Sequence, residues 1–263
     1  MVNRRKLVVG VMALAAGLLC QGLAGLITPQ VLEDLKSDRW QVRRDAFEHL
    51  AAVKDGPRQP RIQALLIELR ERENQESEKE APDLFENDDY LAYDAQLTPL
   101  VEQIAETTNN TRAWRALVYM RYNGDSATGN WIAAHRQCLP YLLEQIHSRY
   151  SVRRMNAVYV IASMLAKAKA SNHPFPPAQY NSLKAMVRRL ALNDIDFVAF
   201  SAAEGLALTH DTGDAEAVER VSARLADPHA RQIIAKIAQQ IRDANRGQTN
   251  QPQAPDGAGP RKN

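Results

Sequence analysis

Leu100-Val101-Glu102-Gln103-Ile104 and Leu142-Leu143-Glu144-Gln145-Ile146 are two copies of one phrase in the middle of a 263-residue chain. Each closes an apolar stripe of helical period: Leu97, Leu100, Val101 and Ile104 in the first copy, Leu139, Leu142, Leu143 and Ile146 in the second. Apolar residues at offsets 0, 3, 4 and 7 share about 100° of helix circumference, the width of a face that turns toward a core. The same template recurs as Ile62, Leu65, Leu66, Leu69 and as Leu183, Met186, Val187, Leu190. A weaker copy runs Val218, Val221, Ser222, Leu225, and the last helix offers Ile234, Ile237, Ala238, Ile241. Starts at 62, 97, 139, 183 and 218 leave 35 to 44 residues per unit, room for two helices and two turns. The polar Glu-Gln pair inside the phrase reads as a solvent face inherited by duplication, so Glu102 and Glu144 are not assigned catalysis.

Composition agrees with packed helices. Aromatic content is 6% and only 12 glycines occur, too few for a sheet with many tight turns. The expected fold is all-α, a right-handed α-solenoid of about five antiparallel helix pairs over residues 28–246.

A second family of helices fills the gaps between the stripes. Asp38, Val42, Ala46 and Leu50 are matched at identical offsets by Asp194, Val198, Ala202 and Leu206. The aspartates are candidate caps, the aliphatics face inward, and the alanines admit a close neighbour. With Arg43, the first set resembles the HEAT repeats, whose first helix carries Asp, then Val-Arg, then Ala and Leu. Ser151, Arg154 and Ala157 match loosely, and Ala199 stands where arginine is usual. The resemblance covers roughly residues 37–242 and implies the solenoid architecture, of about five units; it is nearly silent on function. Thr111, Val118 and Tyr119 correspond to Ser151, Val158 and Tyr159 at a shift of 40 residues, with Thr111 and Ser151 as caps. Pro99 is expected to open a helix behind an N-cap at Thr98. Pro140 either begins a helix after a break or kinks one that starts near Trp131.

The chain ends are different in kind. Arg4, Arg5 and Lys6 precede an apolar run from Leu7 to Cys20 and then Gly22, Ala24 and Gly25. That is the layout of a signal peptide cleaved after Ala24, or of an anchor retained to about residue 27. Either way the remainder is expected outside the cytoplasm, since the basic residues hold the N-terminus inside. Loss of residues 1–24 takes the net charge from +2 to −1 and leaves Cys138 alone, as a buried core residue without a disulfide. After Arg246 the chain is rich in Gln, Asn, Pro and Gly and is expected to be a disordered tail.

Charge is segregated. Residues 68–89 carry ten acidic groups against three basic, and 70–89 reads as a helix extension or an exposed insertion. Residues 112–189 carry twelve basic groups against Asp125 and Glu144. If equivalent helices align, Arg112, Arg115, Arg153, Arg154, Arg188 and Arg189 form a strip for an anionic partner. The competing reading is ordinary solvated helix faces, some of their arginines paired with the acidic segment 68–89. Trp114, Tyr119, Tyr122, Trp131 and Tyr141 are a rival surface, with Trp114 and Trp131 read as core.

The sequence carries no Gly-rich phosphate loop, no GxSxG, no HExxH and no cysteine pair for zinc, and its six histidines are scattered. His210-Asp211 with Asp214 reads as a turn and cap before it reads as a cation site. The expected function is a non-catalytic scaffold in the cell envelope with no cofactor and no metal, binding a protein partner. The alternative is a polyanion-binding module for anionic lipid, envelope polymer or nucleic acid, the last disfavoured by export.

Overall fold

The computed structural model describes residues 27–53, 58–79, 87–120, 126–171 and 174–249. The signal or anchor segment, residues 54–57, residues 80–86, residues 121–125 with Tyr122, and the chain after 249 lie outside them. All regular structure among the described residues is helical, and the chain divides into two compact units, Met1–Arg121 and Tyr122–Asn263.

The first unit contains α1 (Pro29–Asp34), α2 (Trp40–Ala51), α3 (Pro60–Lys79), α4 (Asp88–Thr108) and α5 (Thr111–Tyr119). Its apolar stripes face inward: Ile62, Leu66, Leu69, Leu97, Val101 and Ile104 are buried. Each fully buried Leu or Ile contributes about 1.5–3 kcal/mol relative to an exposed one. α3 packs on both α4 and α5. The first half of the charged stretch 70–89 is thus an extension of a helix.

Two expectations fail here. Pro99 does not open a helix; it lies inside α4, which begins eleven residues earlier at Asp88 behind Asn87, whose side chain accepts the Tyr90 amide at 3.0 Å. Two acidic residues in that first turn supply the favourable end charge, and packing of both halves of α4 overrides the hydrogen bond that proline forfeits. Thr98 is buried and bonds Asp94 within the helix at 3.5 Å. The cap of α5 is Asn110, one residue before Thr111; its carboxamide oxygen accepts the amides of Arg112 and Ala113 at 2.9 and 3.2 Å. Asn109 ends α4 in the left-handed region at φ 49°, a conformation asparagine tolerates, so two residues suffice to turn from α4 into α5.

The second unit contains α6 (Ala127–Ala134), α7 (Leu139–Gln145), α8 (Ser151–Ala170), α9 (Pro177–Asn193), α10 (Asp196–Leu208), α11 (Ala215–Arg224) and α12 (Pro228–Thr249), with 3₁₀ turns at Arg136–Cys138 and Thr212–Asp214. Pro140 stands in the first turn of α7, so it begins a helix after a break. α8, α10 and α12 pack side by side, and α9 packs on α11 in a second row, each row lying against the other. Within the first row α8 and α10 meet through small residues: Ala157, Ala162, Ala199, Ala202 and Ala203 are buried, and a Cβ placed on Gly205 would stand 2.6 Å from that of Ala162. Only glycine permits that approach. α12 runs to Thr249, three residues past the expected start of the tail.

Ser151 does not cap α8; the N-cap is Tyr150, with no side-chain bond. The Glu-Gln pair of the doubled phrase is also not a solvent face throughout. Gln145 is buried at 4% exposure with its Oε1 lacking a hydrogen-bond partner among the described residues, because α7 is only seven residues long and packs under α8.

Candidate functional site

The residues that carry the HEAT resemblance make matching local contacts in the two units. Arg43 and Arg154 each occupy the fourth position of their helices. Arg43 donates to the carbonyls of Ser37 and Asp38 at 2.7 and 3.0 Å, and Arg154 to those of Ser148 and Arg149 at 2.8 and 3.4 Å. Ser37 and Ser148 each accept the amide two residues ahead at 3.2 Å. Asp38 is not a cap; Arg39 holds that position, and Asp38 instead receives Arg72 at 2.5 Å. The arginine is therefore a clamp that straps the preceding turn to its own helix.

In the first unit the clamp continues into a buried polar network. Arg43 binds Glu73 through two hydrogen bonds, of 2.5 and 2.9 Å, and Tyr93 donates to the same carboxylate at 3.0 Å. Arg70 reaches Asp94 and Asn74, and Asn74 donates to the Ala116 carbonyl at 2.8 Å. Burial pushes the Tyr93 and Tyr90 hydroxyls far above their ordinary range, so both remain protonated donors. Each charge in this network has an opposite neighbour, and it serves packing.

The second unit has its own internal pair cluster. Lys184 and Arg188, one turn apart on α9, both hold Asp214; Lys184 reaches Asp214 at 2.9 Å and also binds Asp211. The two carboxylates of the possible cation site are therefore engaged by the chain's own cations. Asp214 is the N-cap residue of α11 by position but makes no side-chain cap. No group of three metal-ligating side chains converges among the described residues.

The six arginines of the predicted strip are distributed between these settings. Arg112 and Arg115 belong to the first unit; Arg112 pairs with Glu71 at 2.6 Å, and Arg115 lies over the Tyr119 ring at 5.0 Å. Arg188 is committed to Asp214, and Arg154 to Asp194 at 2.9 Å. Arg153 and Arg189 present cationic surface in the second unit, Arg153 half-buried, its guanidinium over the Tyr150 ring at 5.6 Å. Trp114 is core; Trp131 is half-buried and stacks on His135 at 4.2 Å.

What the structure assembles instead is one edge of the second unit. The turns before α8, α10 and α12 are stitched together. Arg154 binds Asp194, Arg224 donates to the carbonyls of Ala191 and Asp194, and Asp196 accepts the Ala226 amide at 2.7 Å. Along this edge Tyr150, Ile195 and Phe197 are exposed at 40%, 51% and 51%. Arg149 stacks on Tyr150 at 4.7 Å and donates to its hydroxyl at 2.6 Å. No carboxylate pairs with Arg149 or Arg189 among the described residues. Beside Phe197 a groove of about 400 Å³ is floored by Phe200, Leu225, Ala230 and Ile233.

Tyr150 and Ile195 occupy N-cap positions without a side-chain cap. A Ser, Asp or Asn there stabilises a helix by about 1 kcal/mol, as Asn110 does on α5. Tyr150 and Ile195, at the caps of α8 and α10, forgo that and stay exposed at 40% and 51%. Sequence reading passed over Arg149, Tyr150, Ile195 and Phe197; helices also start uncapped at Arg39, Pro176 and Asp214, so no local signal marked these residues.

A larger groove, of about 780 Å³, lies at the opposite end of α8 beside Tyr159, Ser163 and His210. Its lysines are engaged: Lys167 donates to the Asn130 carbonyl at 2.7 Å and Lys169 to that of Thr209 at 3.0 Å. They complement helix C-termini. No helix among the described residues is long and apolar enough to cross a membrane.

Comparison with family models, with curated proteins and with solved structures finds no match to this chain.

Proposed function

We propose that this chain is an exported, non-catalytic helical-repeat scaffold of the right-handed α-solenoid type, resembling HEAT repeats, and that it binds a protein partner in the cell envelope. The observation that carries the reading is the edge just described, where exposed Tyr150, Ile195 and Phe197 stand at the starts of α8 and α10, neighbours in one row. Contiguous exposed apolar groups rimmed by charge mark association surfaces. The repeated arginine clamp supports the repeat architecture, and the basic N-terminal residues followed by an apolar run support export.

The test is affinity capture of the tagged full-length protein from its native membranes, in parallel with an Ile195→Ser/Phe197→Ser variant. A partner retained by the wild type and lost by the variant, whose melting temperature should be unchanged, is the expected result. Equal recovery by both would remove the edge from the reading. A reporter fused after Asn263 that is active only outside the cytoplasm checks the topology.

The polyanion reading draws its support from Arg149 and Arg189. It requires the triple change Arg149→Glu, Arg153→Glu and Arg189→Glu to abolish salt-sensitive binding to anionic vesicles or polymer. Arg154 and Arg188 are unsuited to that test, because their replacement breaks internal ion pairs.

A further inference from the structure

We infer that the edge of the second unit takes an extended protein segment whose acidic residues meet Arg149 and Arg153 and whose apolar anchor, about six residues away, fills the groove beside Phe197. This rests on the proposed protein-binding role and adds the chemistry and spacing of the partner.

The cationic end is defined by stacking. Arg149 lies over the Tyr150 ring at 4.7 Å and Arg153 at 5.6 Å, so one exposed aromatic orients two guanidinium groups. A guanidinium laid on a ring keeps N–H groups along its edge, the geometry that grips a carboxylate through two bonds. α8 begins at Ser151 behind Tyr150, whose side chain makes no cap, which adds the positive end of a 20-residue helix to the same place. Arg154 is neutralised there by Asp194, whereas Arg149 has no such neighbour among the described residues.

The far end is apolar and near neutral. Phe197, Phe200 and Ile233 line the groove. Its rim carboxylates are already engaged, Asp196 by the Ala226 amide and by Arg224 at 3.8 Å, Asp227 by the His229 amide at 2.9 Å. An anionic membrane surface would have to desolvate Asp196 and Asp227 to seat Phe197, and the groove is a recess rather than a ridge presented to lipid. These features favour a protein segment over a headgroup layer.

Spacing follows from helix packing. α8, α10 and α12 lie side by side, and packed helix axes stand about 8–10 Å apart. The α12 wall of the groove, Ala230 and Ile233, is two such steps from α8, about 16–20 Å, which roughly six residues of extended chain cover at about 3.3 Å each.

The probe is a labelled short peptide with two glutamates set about six residues from a Leu-Phe pair, titrated against the full-length protein in detergent by fluorescence anisotropy. Saturable binding is expected, weakened at least about tenfold by Arg149→Glu/Arg153→Glu and, separately, by Ile195→Ser/Phe197→Ser. A peptide with lysines for the glutamates should not bind, and one with the spacing halved should bind less well. Circular dichroism melts of both variants establish that they fold. No binding, or binding that ignores either variant, overturns the inference. So does edge-dependent association with vesicles of anionic lipid in place of the peptide, or self-association by light scattering that either variant abolishes. If affinity capture still yields an edge-dependent protein while the peptide fails, the scaffold reading stands and only the partner chemistry is wrong.

Discussion

Arg43 in the first unit and Arg154 in the second begin from the same local contacts and end in different surroundings. Arg43 is 1% exposed and faces Glu73 from the next helix, with Tyr93 on the same carboxylate. Arg154 is 18% exposed and faces Asp194 from the turn between α9 and α10. The first unit is held by a buried polar network and by edge-on aromatics, Trp40 on Tyr90 and Phe47 on Tyr93 at 5.5 Å. The second is held by a seam of alanine and glycine between α8 and α10. Polar networks specify one arrangement and fail badly when one member is lost, whereas a small-residue seam fails when something is added.

The largest expected break is therefore Glu73→Ala. It leaves Arg43 and the Tyr93 hydroxyl buried without their acceptor, a loss of about 3–5 kcal/mol in chemical denaturation. Replacing Arg43 and Glu73 together by methionine should cost less than the two single changes summed, because no lone charge remains. Additive losses would show that the pair is not coupled.

Gly205→Val should come next. Its side chain collides with Ala162 and should cost about 1–3 kcal/mol in the same measurement. Arg154→Ala is smaller, about 1–2 kcal/mol, since the pair is partly solvated. Although burial raises the Asp194 carboxyl, Arg154 and the Ile195 amide together hold it below its ordinary 3.8. A depressed carboxyl stabilises above the unfolded value and is lost as pH falls through the folded one, so Arg154→Ala should flatten the acid limb of the stability curve below about pH 4.

Glu102 has the opposite sign. Burial first, and then Glu106, raise its carboxyl from 4.5 to about 7. Between those values the folded chain keeps a proton that the unfolded chain has released, so stability falls as pH rises across the window. Glu102→Gln should remove that decline, visible as a flatter melting temperature between pH 4.5 and 7.

The smallest expected signal is chemical. Burial pushes the Cys138 thiol up to about 12, so a disulfide reagent should label it only on opening of the second unit. In a Cys20→Ser background, Gly205→Val should speed that labelling and Glu73→Ala should not. Equal acceleration by both would mean that the two units open together.

The helices were legible in the sequence because the apolar stripes are long and regular: Ile62, Leu66, Leu97, Val101, Leu142, Leu183, Val187 and Ile234 are all buried as their spacing requires. Boundaries were less legible. Pro99 marked a helix start on local grounds, but α4 gains more from packing both of its halves than it loses at one missing N–H. Of the predicted strip, Arg153 and Arg189 remain as surface and Arg154 sits at the edge itself. Arg112 is ion-paired to Glu71 of the acidic segment, as the competing reading of the charges allowed, whereas Arg188 is ion-paired to Asp214, which no count of local charge could reveal.

The sequence by itself determined that this chain is helical, where its stripes face, that Cys138 is core and that one arginine position recurs, because periodicity and local hydrogen bonding act within a few residues. Only the tertiary structure decided which charges are spent. Pairing across 26 to 41 residues consumed three of the six predicted cations. The stitching of three turns then brought Arg149, Tyr150, Ile195 and Phe197 to one edge, a juxtaposition that exists only once the helices lie side by side.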